Sequence, residues 1–140
     1  MCCIDFQSFV EKVCQTLEAV SASAPHRIAA FKSGEDFEAC VVEAVYTSLD
    51  DLGLTANVHY TPGGHAFPDV VIEFSDGKKY GIEVKSSTSA TSKSWKINGN
   101  SVLGSTKENV IDTYIVFGKT AMGNQAFRFK RYEDAVANVA

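Results

Sequence analysis

The stretch FPDVVIEFSDGKKYGIEVKSS, residues 67–87, limits the folds open to this chain more than any other. It reads as two alternating runs joined by a tight turn, a β-hairpin, and the question is its register. A two-residue loop of Asp76 and Gly77 would set Asp69 across from Val84 and break the apolar pattern. A three-residue loop of Ser75, Asp76 and Gly77, with Gly77 left-handed in a type I turn plus bulge, sets Asp69 across from Glu83. One face then collects Val70, Ile72, Phe74, Tyr80, Ile82 and Val84, and the other Asp69, Val71, Glu73, Lys79, Gly81, Glu83 and Lys85. A one-residue slip would turn the whole apolar set to the wrong side, so the alternation selects the three-residue loop.

That register creates an electrostatic problem. Residues directly opposed in an antiparallel pair have Cβ atoms roughly 5 Å apart. Two carboxylates so close repel, and one takes back its proton unless a cation lies between them. As plain structure, the pair Asp69 and Glu83 is a liability. As a site for a hard divalent cation, which takes carboxylate, carbonyl and water oxygens, it is well chosen. Lys85 lies two residues past Glu83 on the same face, about 6.6 Å along the strand. Gly81 is expected to leave room on that face for an approaching group.

PD at Pro68-Asp69 followed by E-V-K at 83–85 resembles the motif of the PD-(D/E)xK nuclease superfamily, which includes many restriction endonucleases. The resemblance covers about residues 33–118 and implies an α/β fold: a restriction-endonuclease-like central mixed β-sheet flanked by helices. It implies Mg²⁺, with Mn²⁺ able to substitute, held by Asp69, Glu83 and the carbonyl of Val84, and Lys85 beside the scissile phosphate. Superfamily members often add an acid on a helix ahead of the sheet in a G-x-x-x-E context. Gly34 and Glu38 have that spacing, so Glu38 joins the implied catalytic set, with Glu43 as its substitute. The implied activity is that of a metal-dependent deoxyribonuclease of the type II restriction kind, leaving a 5′-phosphate. Two other readings stay open: a repair, recombination or mobile-element nuclease of the same superfamily, and a nuclease-like module that binds DNA or protein without cutting.

The rest of the chain fits one domain of 140 residues, 45% hydrophobic. A helical N-terminal part is expected over 1–53, the catalytic sheet over 56–119, and a last strand and helix over 126–140. Asp5 caps a first helix to about Val20, striped by Phe6, Phe9, Val10, Val13 and Leu17, which SASAPHR breaks. Ser33 and Asp36 form a capping box for a second helix that Gly53 ends. Strands are expected at 56–61, 68–74, 79–86, 112–119 and 126–132. Asn98-Gly99 signals a further hairpin turn.

Charge is unevenly spread. The net value is −4, yet residues 1–55 carry −6 and residues 76–107 carry +4. A basic middle on an acidic body suits local contact with a polyanion, and the expected partner is double-stranded DNA. Residues 86–109 are long for an idle loop, and Lys93, Trp95, Lys96, Asn98, Asn100 and Ser101 are its candidate DNA contacts. Arg128, Lys130 and Arg131 are candidate backbone contacts, while His65, His59 and His26 are weaker candidates. Cutting two strands needs two sites, so a homodimer is expected. No long apolar run or signal-peptide pattern is present, and Cys14 and Cys40 fall on apolar helical positions as reduced core thiols. A cytoplasmic protein with no membrane partner is the expectation.

Overall fold

The computed structural model describes residues 5–29, 34–60, 68–87 and 110–137. Among these, five strands form one mixed sheet in the order β1-β2-β3-β4-β5. The strands are β1 (Ala56–Tyr60), β2 (Val70–Phe74), β3 (Lys79–Ser87), β4 (Asp112–Lys119) and β5 (Ala126–Arg131). Every neighbouring pair is antiparallel except β3 with β4, which run parallel. Parallel neighbours need a crossover connection, which explains the long segment between Ser87 and Asp112. The architecture is α/β.

Four helices accompany the sheet among the described residues: α1 (Phe6–Ser23), α2 (Pro25–Ala29), α3 (Gly34–Leu52) and α4 (Tyr132–Ala137). Asp5 caps α1 as its sequence suggests, accepting the Ser8 N–H at 2.7 Å. The helix does not stop at Val20 but runs to Ser23, and after Ala24 the short α2 begins at Pro25. Proline breaks a helix only from within. At a helix start its missing N–H costs nothing, so SASAPHR restarts helical structure where a simple break was expected. Gly53 ends α3 with φ 67°, donating to the Asp50 carbonyl while the Leu54 N–H reaches the Leu49 carbonyl. This is a Schellman cap, and it needs the left-handed residue that glycine supplies.

The helix layer covers one face of the sheet. Phe9, Val10, Val13, Leu17, Phe37, Val41 and Val45 pack against Val70, Ile72, Ile82, Val84, Tyr114 and Val116. Phe6 stacks on Tyr80 with ring centroids 4.5 Å apart, fastening the start of α1 to β3. Gly118 lets the Phe37 ring lie against β4; a Cβ there would sit 2.7 Å from Phe37 Cε2. The other face of β3, which carries Glu83 and Lys85, is thereby turned away from α1 and α3. No helix among the described residues is long and apolar enough to cross a membrane.

Candidate active site

The hairpin adopts the register that alternation selects. Val70 pairs with Ile82, Val71 with Gly81, Ile72 with Tyr80 and Glu73 with Lys79. Gly77 has φ 87° and donates to the Phe74 carbonyl, Phe74 donates to Lys78, and the Lys78 N–H is taken by Asp76 Oδ1 at 3.0 Å. The turn chemistry therefore sets which residue of β3 meets Asp69.

β2 begins at Val70, not at Pro68 as expected from the sequence. The reason is chemical. Pro68 has no N–H for the ladder, and the Asp69 N–H is diverted to Glu83 Oε1 at 3.1 Å. In return, Asp69 Oδ2 accepts the Val84 N–H at 2.8 Å. Side chains replace the backbone ladder at this corner, so Asp69 and Glu83 are locked to each other through main-chain amides. Lys85 completes the group, with Nζ 3.2 Å from Glu83 Oε2. The N–H and carbonyl of one strand residue leave on the same side of the strand. The Val84 carbonyl is thus turned toward the side where β2 has ended, beside Asp69.

The corner is dry. Glu83 is only 5% exposed, and Val71, Ile115 and Phe117 are buried on the same face of the sheet. Burial, and then the charge of Asp69, push the Glu83 carboxyl up to about 7, with Lys85 pulling partly the other way. Two amides and an ammonium ease the repulsion that the sequence implies, and what they leave is stored in that raised value. Tyr132 adds a neighbour that sequence reasoning missed: its phenol is shifted up by burial and by the Glu83 charge. The signal was present, because continuing the alternation of Arg128 and Lys130 puts Tyr132 on the same face.

Gly81 plays a different part from the one expected. The space above it is filled by the chain itself: an added Cβ would lie 2.9 Å from both Pro68 Cβ and Thr113 Oγ1. Glycine here seats Pro68, and through it Asp69. Glu38 is half-buried on α3, whose apolar stripe packs on the opposite face of the sheet. Among the described residues no group of three or more His, Cys, Asp or Glu could hold a metal ion, and Glu38 has an interaction of its own. Its substitute Glu43 pairs instead with Arg27 at 3.8 Å. Arg131 is tied to Asp112 and Glu133, each at 3.2 Å. His59 sits 3.2 Å from Glu73 on β2. Lys93, Trp95, Lys96, Asn98, Asn100 and Ser101, with His65, the Asn98-Gly99 turn and the Ser33 cap, lie outside the described residues.

The donor set fits a hard divalent cation: two carboxylates fixed by amides, and a main-chain carbonyl turned to the same corner. The buried carboxyl held near 7 is what such an ion would relieve. Compared with protein-family models, curated proteins and solved structures, the chain matches none.

Proposed function

We propose that this protein is a Mg²⁺-dependent DNA endonuclease, of restriction type, built on a restriction-endonuclease-like core. The observation that carries the reading is the corner itself. Asp69 and Glu83 exchange main-chain amides past the end of β2, with the Lys85 ammonium 3.2 Å from Glu83. Asp69, Glu83 and the Val84 carbonyl would hold the Mg²⁺, with Mn²⁺ able to replace it. When bound, the ion supplies concentrated positive charge that polarises a phosphodiester and eases ionisation of water.

The chain's own groups do the rest. Glu83 must be ionised to act as a ligand, so Mg²⁺ competes with its proton, and the acid limit of activity moves below about 7 as Mg²⁺ is raised. The Lys85 side chain keeps 20% of its surface exposed. It donates to a non-bridging phosphate oxygen and stabilises the charge that grows as water attacks. Val71, Ile115 and Phe117 exclude bulk water and strengthen those interactions. Cleavage of both strands calls for two chains acting together. The buried free thiols of Cys14 and Cys40, pushed up to about 12 and about 11 by burial, support a cytoplasmic setting.

The test is incubation of the purified protein with plasmid and phage DNA in Mg²⁺ and in EDTA. Discrete fragments in Mg²⁺ alone are the expected result, and Lys85→Ala should remove them while keeping the fold. A smear would point to a non-specific nuclease of the same chemistry. Intact DNA, or cutting by Lys85→Ala, would overturn the mechanism.

A further inference from the structure

The phase of the hydrogen-bond ladder decides which groups β1 turns outward. In a strand, the N–H and carbonyl of successive residues leave on alternate sides. The Phe74 N–H goes to the Lys78 carbonyl just ahead of β3. Val70, Ile72 and Phe74 therefore serve β3, while Val71 and Glu73 serve β1. Their partners on β1 are His59 and Asn57. Ala56, Val58 and Tyr60 thus direct their N–H and carbonyl groups to the far edge, beyond which the sheet has no strand among the described residues.

The two edges of the sheet differ in chemistry. β5 carries Arg128, Lys130 and Arg131, and cations along an edge oppose the addition of another strand. β1, with the sequence Ala-Asn-Val-His-Tyr, has no Lys, Arg, Asp, Glu or Pro. Its inner side is incompletely covered. Ala56, Val58 and Tyr60 face the helix layer yet stay half-buried, beside the fully buried Val70 and Ile72. Over the sheet, α1 packs on β4 and β5, and α3 on β3. Ser48 of α3 meets Thr16 of α1 at 3.2 Å. Tyr46 lies about 160° round the helix from Ser48, on the flank toward β1. Its side of α3 is open, and Tyr46 is 54% exposed.

We propose that β1 is a dimer edge, pairing antiparallel with β1 of a second copy of this chain about a twofold axis at Val58. A second copy is the occupant because the strand matches itself in that register. Val58 exchanges two hydrogen bonds with the second copy's Val58. Ala56 lies opposite the second copy's Tyr60 on the helix side, small against large. Asn57 lies opposite the second copy's His59 on the outer side, so no like charges meet. The axis stands perpendicular to the sheet, so two five-stranded sheets join into one and their outer faces look the same way. The edge argument does not need the nuclease reading. Where that reading holds, both Asp69 and Glu83 corners stand on one side of the assembly, as cutting two strands requires.

Sedimentation equilibrium of the full chain over a concentration series tests this without DNA. Wild type should pass from monomer to dimer as concentration rises. Asn57 and His59 are exposed, so Asn57→Lys with His59→Lys leaves the core of each copy alone. It opposes like charges at two places across the axis and raises the dimer Kd about tenfold. Asn57→Glu with His59→Glu does the same, and an equimolar mixture of the two variants restores the dimer. Val58→Pro removes both central donors but no ladder bond to β2, and it too dissociates the dimer. Arg128→Gln with Lys130→Gln, on the other edge, leaves Kd unchanged. A wild type that stays monomeric to about 1 mM chain would overturn the proposed edge. So would Lys and Glu variants that each dimerise as wild type does, or whose mixture stays monomeric. A protein that dimerises through β1 and leaves DNA intact would keep the edge and remove the nuclease reading. One that cuts DNA as a monomer would do the reverse.

Discussion

Glu83→Gln separates a working carboxylate pair from an ordinary ion pair. In the folded protein Glu83 keeps its proton up to about 7, against 4.5 for the group unperturbed. Between those values the native state binds more protons than the unfolded state, so stability falls as pH rises through the window and levels off above it. The difference converts to about 3 kcal/mol. Glutamine has the shape of the protonated acid and carries no charge. The variant should match wild type near pH 5, lose the downward slope, and be the more stable protein at pH 8 by up to about 3 kcal/mol. Urea unfolding in EDTA at both pH values measures this, and the difference between the two proteins cancels groups that titrate alike in both. If Glu83 served as the stabilising half of an ion pair with Lys85, the variant would be less stable at pH 8, and that result would refute the reasoning.

Two further outcomes follow from the same corner. Gly81→Ala would push a Cβ against Pro68 and Thr113; it should cost about 2 kcal/mol in urea unfolding and, by displacing Asp69, weaken divalent-ion binding. Lys85→Met removes the charge that partly offsets burial and Asp69, so a carbon-labelled Glu83 carboxyl followed by NMR in EDTA should titrate above about 7.

Much of this fold was legible because two local signals agreed. In residues 67–87 the alternation and the Ser75-Asp76-Gly77 loop each demand one register, and the structure has it. The stripes of α1 and α3 and the Asp5 and Gly53 caps were readable for the same reason. Legibility failed where a group serves a non-local partner. Nothing in the sequence says that the Asp69 N–H goes to a side chain rather than to the ladder, which shortens β2. Gly81 reads as open space until Pro68 is seen folded over it. Tyr132 sits where strand alternation passes into a helix, and the change of period hides it. The departures at Asp69, Gly81 and Tyr132 lie around one corner of the sheet.

On the proposed function, Asp69 and Glu83 are set apart for a divalent ion. Titration of the metal-free protein with Mn²⁺ at pH 8, followed by the paramagnetic resonance signal of the free ion, tests it most directly. One Mn²⁺ should bind per chain, Mg²⁺ should displace it, and Asp69→Asn and Glu83→Gln should each abolish binding with the fold intact. A wild-type chain that leaves millimolar Mn²⁺ free, or variants that bind as it does, would contradict the account.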